Sequence, residues 1–497
     1  MSPSAPSQTE DAPQRSRLRA LTAPAERWFG AELSRQICAH HERRLRRIGW
    51  ERALDPEAGG WAAAAYPPRP GNAIEVLIDG AEALPAVAAE MRRARSHVHV
   101  AGWAFTPSFD LERNGDSAAL RHLLAELAER IDVRVLVWAG APLPLFRPSR
   151  ADVRKMRDRL IDGSRVQVAL DSHERPLHCH HEKTVVIDDQ IAFVGGIDLT
   201  SEDGDRFDTP SHPARAKVGW HDVATRIQGP AVTDVAEHFG MRWHETTGER
   251  LAPAAPQPSA GDVELQIVRT VPEKIYKATP TGDFGILESY VRAFRAAQRF
   301  IYLENQFLWS PEIASILADK IAHPPTPDFR LLVVLPAKPN SGADDTRGVL
   351  GELLEADADN GRVFASTLYA RSGARADPIY VHAKLAVIDD AWLTIGSANL
   401  NEHSLFNDTE MNIVTHDPTL ARETRLRLWS EHLELPIDDL DRDPIDVIDN
   451  IWKPISKQQL ELRKAGQPLT HRLVSLPHVS KRSRRLLGPT TGLIVDG

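Results

Sequence analysis

The chain has 497 residues, about three times the ~150 of a typical single domain, so two or more domains around a large core are expected. Hydrophobic residues make up 42% and charged residues 26%, which excludes a disordered or fibrous chain. A formal charge of −9 excludes a surface that grips nucleic acid throughout, and two cysteines, Cys38 and Cys179, exclude both a disulfide framework and a cysteine-built zinc site.

The N-terminus, Met1 to Arg17, carries no apolar stretch of the kind a secretory signal requires and predicts a flexible start. The longest apolar runs, such as Val133 to Phe146, fall short of the ~20 residues that span a bilayer. A membrane partner is therefore expected to be met from the side, and a cytoplasmic location is expected from the missing signals. The first strand is predicted at Ile74–Ile78, closed by Asp79-Gly80, with a helix over Leu84–Arg95. Strands follow at Val98–Ala104, Val133–Trp138 and Val166–Leu170, with a helix at Ala118–Ile131 between the first two. Lys183–Ile187 and Ala192–Val194 form a hairpin around Asp188-Asp189-Gln190, and Val223–Ile227 continues the sheet before a helix at Val232–His244. Alternation of this kind predicts α/β layering.

Residues 252–261 are rich in Pro and Ala, unsuited to a helix or an inner strand, and predict an inter-domain linker. Beyond it the order repeats, with strands at Leu265–Val268, Phe300–Glu304, Leu331–Leu335, Leu385–Ile388 and Leu393–Ile395, and a helix at Ile286–Gln298. The repeat is in register: His181-Glu182-Lys183 matches His382-Ala383-Lys384, Asp188 matches Asp389, Gly195-Gly196 matches Gly396-Ser397, and Asp198 matches Asn399, each pair 201 residues apart. Two homologous halves, 72–251 and 262–435, are expected, with a flexible or helical extension over 1–71 and a C-terminal extension over 436–497. The latter carries the basic run Lys481 to Arg485, readable as a solvated face or as a contact for anionic lipid.

Residues two apart on a strand share a face, so His181 projects with Lys183 and His382 with Lys384. If the halves pack with these faces opposed, one cleft holds two imidazoles and two ammonium groups, a phosphoryl-transfer site that needs no metal ion. The lysines would balance phosphate charge, one histidine would attack phosphorus and the other would protonate the leaving alcohol. One His-x-Lys-x4-Asp arises by chance at only ~0.05 per chain of this length and composition; two in register are a strong signal. Asp188 and Asp389 sit beside turns, where sheet support competes with contact to the reacting groups. The bunched His178, His180 and His181 do not suggest a metal, because a strand sends the first two away from the third. Cys179 reads as a buried inert thiol.

The twin motif resembles that of the phospholipase D superfamily, of which the chain is identified as a member. The eukaryotic type is matched by His180 to Val186, Phe193 to Leu199, Arg206-Phe207-Asp208, Trp220-His221-Asp222, Gly229-Pro230-Ala231, Arg242-Trp243, Ile301 to Gln306 and Ile395 to Asn401. The resemblance covers roughly residues 72 to 435 and implies two α-β-α sandwich domains with mixed sheets, related by a pseudo-twofold axis, with the active site at their interface. It also implies a phosphohistidine at His181 and acid–base work at His382, with the reverse open. Asp208 and Glu410, which follow their histidines by 27 and 28 residues, are expected to orient them. Asp198, Asn399, Glu304, Gln306, Trp220 and His221 are expected to bind substrate or orient the histidines. The implied activity is hydrolysis of glycerophospholipids such as phosphatidylcholine to phosphatidic acid and the head-group alcohol, with head-group exchange when a primary alcohol replaces water. Such a phosphoric diester hydrolase would act as a monomer at a membrane surface, without cofactor, metal or nucleic acid. A cardiolipin synthase-like phosphatidyltransferase and a nuclease of the same superfamily are the alternatives.

Overall fold

Strands form where β-branched and apolar residues run consecutively, as in Asp132–Trp138, whose last six residues are all buried. Such runs belong to strands covered on both faces. The computed structural model describes residue 32 and residues 34–476, apart from 114–117, 144–146, 203, 339–342 and 374. The basic run at 481–485 and the start at 1–17 lie outside the described residues.

The first sheet orders its strands Gln167–Asp171, Asp132–Trp138, His97–Gly102, Thr184–Ile187, Ile191–Gly195, Val223–Gln228 and Arg69–Ile78. The first three are parallel to one another and the rest pair antiparallel. The second sheet repeats this order with Val363–Ser372, Arg330–Val334, Phe300–Asn305, Lys384–Ile388, Trp392–Gly396, Glu410–Thr415 and Val263–Val271. Strand Arg69–Ile78 belongs to both sheets: residues 73–78 pair with Val223–Gln228, while Arg69 and Asn72 pair with Val263–Val271.

Helices Asp79–Arg93, Leu120–Ala128 and Arg150–Ile161 cover the outer face of the first sheet, and Gly285–Ala296, Pro311–Ala322 and Ala343–Asp357 that of the second. Between the sheets lies a shared core. Val186, Val194 and Ile227 from one sheet and Ile267, Leu385 and Ile395 from the other join helices Val232–Thr247 and Pro418–Leu433 there. Each half is thus a mixed sheet between helices, and the inner faces meet.

The described parts of both extensions pack on the second half. Helix 34–48 and the turn after it insert Leu45, Trp50 and Ala53 beside Phe284. At the other end Trp452 enters the shared core, and strand Leu473–Ser475 pairs with Val363–Ser372, so the second sheet draws a strand from beyond residue 435. Segment 252–261 has no regular structure and lies against the first strand, with Ala260 N–H donating to Gly71 O.

Candidate active site

The two His-x-Lys stretches meet at the junction of the halves, and each hangs on the other half's backbone. His181 and Glu182 donate their N–H groups to Thr409 O, at 2.9 and 3.0 Å, while His382 and Ala383 donate theirs to His221 O, at 2.8 and 3.1 Å. The residue after each acceptor is acidic. His181 Nδ1 therefore lies 3.0 Å from Glu410 Oε1, and His382 Nδ1 lies 2.6 Å from Asp222 Oδ2. Each histidine is held by a carboxyl from the opposite half. With Nδ1–H donating to the carboxyl, Nε2 is the nitrogen left for chemistry. All four side chains are buried.

Lys183 Nζ donates to His181 O at 2.7 Å and faces Asp198 Oδ2 at 2.9 Å. Lys384 Nζ donates to His382 O and, at 3.2 Å, to Gln306 Oε1, which also accepts from Asn399 Nδ2 at 3.3 Å. Asp198 and Asn399, equivalent in the repeat, thus stand beside the lysines of their own halves. Trp220 packs against the His382 ring with centroids 4.4 Å apart, and the Arg206 guanidinium lies over the Trp220 indole.

Burial, reinforced by the charges of Lys384, Arg206, Lys183 and His181, drives the His382 imidazole well below the usual histidine range. Burial pushes the Asp222 carboxyl up to about 6, against the pull of Lys384. It also raises Glu410 well above the carboxylate range, opposed by Lys183 and by hydroxyl donors from Ser397 and Ser404, with Asp408 adding to the rise. The pocket holds cations densely and leaves His382 neutral, a setting that favours an arriving phosphate anion.

Other expected residues are placed elsewhere. Asp188 and Asp389 lie past the far ends of the strands that follow the histidines. Asp188 accepts the N–H groups of Arg95, Ser96 and His97, and Asp389 those of Gln298, Arg299 and Phe300. Both stitch the turn to the start of a neighbouring strand, which is sheet support rather than contact with the reacting groups. Asp208 does not orient a histidine of the motif: it binds His212 Nδ1 at 2.9 Å and the Arg215 guanidinium. Glu410 does orient one, but it is His181 rather than the expected His382. The count of 27 residues misled because 26 positions separate Gly196 from Asp222, against 13 between Ser397 and Glu410. The first half carries an inserted segment, and Asp222 is the true counterpart of Glu410. The sequence held the signal, since each stands directly before or at the start of the next apolar strand.

His221 and Glu304 bind each other at 2.7 Å. His178, His180 and His181 do not share a strand, which starts only at Thr184. His178 meets His403, His180 meets Thr409, and Cys179 is buried. Behind the site Arg242 bridges Glu182 and Asp171, which ties the loop between His181 and Lys183 to the helix Val232–Thr247.

A family model described as "Phospholipase D" matches residues 90–218, and one described as "Cardiolipin synthase, PLD-like domain" matches residues 291–430. Phospholipase D A of Dictyostelium discoideum is 24% identical over 78% of this chain and 37% of its own length. Phospholipase D2 of Bos taurus is 24% identical over 71% of this chain and 50% of its own, and phospholipase D beta 2 of Arabidopsis thaliana 26% over 70% and 56%. The chain therefore spans between a third and three fifths of these relatives. The fold is similar to that of phosphatidylserine synthase from Haemophilus influenzae Rd KW20, with a TM-score of 0.51 and 13% identity, covering 79% of this chain and 94% of that one.

Proposed function

The chain belongs to the phospholipase D superfamily, and on that premise we propose that it is a phospholipase D that cleaves the distal phosphodiester of glycerophospholipids. The observation that carries this reading is the pair of buried histidines, each with Nδ1 on a carboxyl from the other half and each beside a lysine. In it, residues 72–251 and 262–435 are the two catalytic units of a peripheral, monomeric, cytoplasmic enzyme. No helix among the described residues is long and apolar enough to cross a membrane.

In this reading the reaction runs in two steps. His181 Nε2 attacks phosphorus, an N–P bond forms, the P–O bond to the head group breaks, and the proton on His382 passes to the departing oxygen. Lys183 and Lys384 stabilise the charge on the non-bridging oxygens, and Asn399 adds an amide donor. Water, or a primary alcohol, then gives its proton to His382 as its oxygen attacks phosphorus and the N–P bond breaks. Phosphatidic acid or the exchanged lipid is released. Burial is the first cause of the depression of His382 and the neighbouring cations the second; the substrate's negative charge offsets the second, so binding raises its basicity for the acid role. The neutral His382 of the free protein favours a second assignment, with nucleophile and acid exchanged.

The test is an assay on phosphatidylcholine vesicles with ethanol present. Wild type is expected to form phosphatidylethanol and a phosphohistidine that maps to His181; mapping to His382 exchanges the roles. Choline release by both His181→Ala and His382→Ala at the wild-type rate would falsify the two-histidine mechanism. Transfer to phosphatidylglycerol without hydrolysis would instead favour a phosphatidyltransferase, the activity in the description matched by the second half.

A further inference from the structure

A second cluster of imidazoles and carboxylates lies next to the site and takes no part in the proposed phosphoryl transfer. Asp79 comes from the first turn of helix Asp79–Arg93, His212 from the inserted segment, His221 from the residue before Asp222, and Glu431 from helix Pro418–Leu433 of the second half. Their side chains are 0, 1, 0 and 4% exposed. His212 Nε2 lies 2.8 Å from Glu431 Oε1 and 3.6 Å from Asp79 Oδ2, while His221 Nδ1 lies 2.9 Å from Asp79 Oδ1 and 3.3 Å from Glu431 Oε1. One donor atom from each of the four residues lies within 4.8 Å of all the others.

These spacings fit a small cation. A tetrahedral ion with bonds of about 2.0–2.1 Å sets neighbouring donors about 3.3 Å apart; Glu431 Oε1 lies 2.8 and 3.3 Å from the two imidazole nitrogens, and Asp79 reaches one of them at 2.9 Å through Oδ1 and the other at 3.6 Å through Oδ2. A second observation is independent of the hydrogen bonds: Asp79 Oδ2 is fully buried and has no hydrogen-bond partner among the described residues, yet it points into the cluster. A buried, unsatisfied carboxylate oxygen is costly unless something binds it. A third concerns the outer layer. The far nitrogen of each imidazole is backed by a carboxylate, His212 Nδ1 by Asp208 at 2.9 Å and His221 Nε2 by Glu304 at 2.7 Å. Asp208 is itself held by Arg215, and Glu304 by His432 and Tyr302. Carboxylates placed in this way fix the orientation and tautomer of histidines that bind metals.

We infer that Asp79, His212, His221 and Glu431 bind a divalent transition-metal ion of the zinc class. Two nitrogens and two carboxylate oxygens suit zinc, whereas calcium and magnesium take oxygen ligands in larger number. The two carboxylates balance the ion's charge with both imidazoles neutral. Four protein ligands leave no open position, so the ion is structural. It would also pin the active site, because Asp79 N–H donates to Asp222 O at 2.8 Å and Asp222 N–H to Asp79 Oδ1 at 3.2 Å. Three ligands come from the first half and one from the second, so the ion would clamp the halves beside the Asp222–His382 pair.

The experiment uses the full chain, produced with zinc chloride in the medium and dialysed against metal-free buffer, and requires no activity. About one zinc per chain is expected by elemental analysis. Replacement by cobalt(II) chloride should give the intense visible absorption of a four-coordinate ion. Glu431→Gln with His212→Gln should lose the metal, and Asp208→Asn should weaken zinc binding about 10–100-fold. His181→Ala with His382→Ala should keep it. Folded wild type with less than about a tenth of an equivalent and only the weak spectrum of hydrated cobalt overturns the inference, whatever the variants do, and leaves a proton-linked network in its place. So does full occupancy in the Glu431→Gln, His212→Gln chain, or loss of zinc in the chain lacking both motif histidines.

Discussion

In the first half Gly196 stands where the second half has Ser397, and the two positions serve opposite needs. A Cβ at Gly196 would lie 2.1 Å from Asp222 Oδ1, so only glycine admits that carboxyl. Ser397 instead donates its hydroxyl to Glu410, as Ser404 does from the following turn. The shorter Asp222 is fixed by close packing and by the Val223 N–H at 2.8 Å; the longer Glu410 is fixed by two hydroxyls. Likewise Lys183 faces a carboxylate, Asp198, where Lys384 faces the amide oxygen of Gln306. A duplicated unit has kept one geometry while its two copies surround their histidines with different chemistry. That difference can give two identical side chains a nucleophilic and an acidic role.

The largest effect that tests this contrast is removal of either imidazole, which should lower turnover at least ~10⁴-fold. Asp222→Asn and Glu410→Gln come next, at about 10²–10⁴-fold in kcat, because an amide favours the wrong tautomer. Asp222→Asn should cost more, since Glu410 keeps its hydroxyl donors; equal losses and parallel pH profiles would erase the distinction. Asp222→Asn should also change stability. Its carboxyl titrates at about 6 in the folded chain, above the unfolded value of ~3.9. The protonated form is thus the one folding favours, and its contribution is full below pH ~4 and lost as pH rises through about 6. The variant should melt higher than wild type at pH 8, by more than at pH 4, and a lower Tm at pH 8 would refute the assignment.

Ser397→Ala should reduce kcat only several-fold, the scale of one lost hydrogen bond of about 1 kcal/mol. Gly196→Ser should be far more damaging, and equal tolerance at both positions would contradict the packing account. Smallest in activity are Asp188→Ala and Asp389→Ala, which should leave kcat unchanged and lower stability by about 1–2 kcal/mol, discounted for their partial exposure. Burial raises the Asp188 carboxyl, but the N–H groups of residues 95–97 outweigh it and hold it below its ordinary value. Its stabilisation is therefore present above pH ~4 and lost as pH falls through the folded value. A stability loss that persists in strong acid, or a fall in kcat, would argue against a role limited to the sheet.

Much of this was legible in the residues. The repeat, the strands that carry it and the pairing of two His-x-Lys stretches follow from register and periodicity, because both are local patterns. Helices Arg150–Ile161, Pro311–Ala322 and Pro418–Leu433 escaped the apolar pattern, although Ser149 with Asp152, Ser310-Pro311 and Asp417-Pro418 mark their starts as caps. The carboxyl partners were harder to see because they are exchanged between halves. Glu410 was singled out for the wrong histidine, and Asp222 lay hidden behind an insertion that shifted the count. Nothing in a linear pattern shows that His221 and Asp222, adjacent in the chain, face different clusters.

Strand Arg69–Ile78 runs through both sheets, pairing its first residues with one and its last with the other. Backbone pairing of this kind does not stretch, so the halves cannot swing apart as jaws without breaking the Arg69 and Asn72 pairs with the second sheet. Entry and exit of substrate must then be the work of loops at the rim. On the proposed reading, a lipid would have to raise its phosphate out of the bilayer into the junction of the halves, and the slowest step in a turnover should depend on how tightly the membrane holds its head groups.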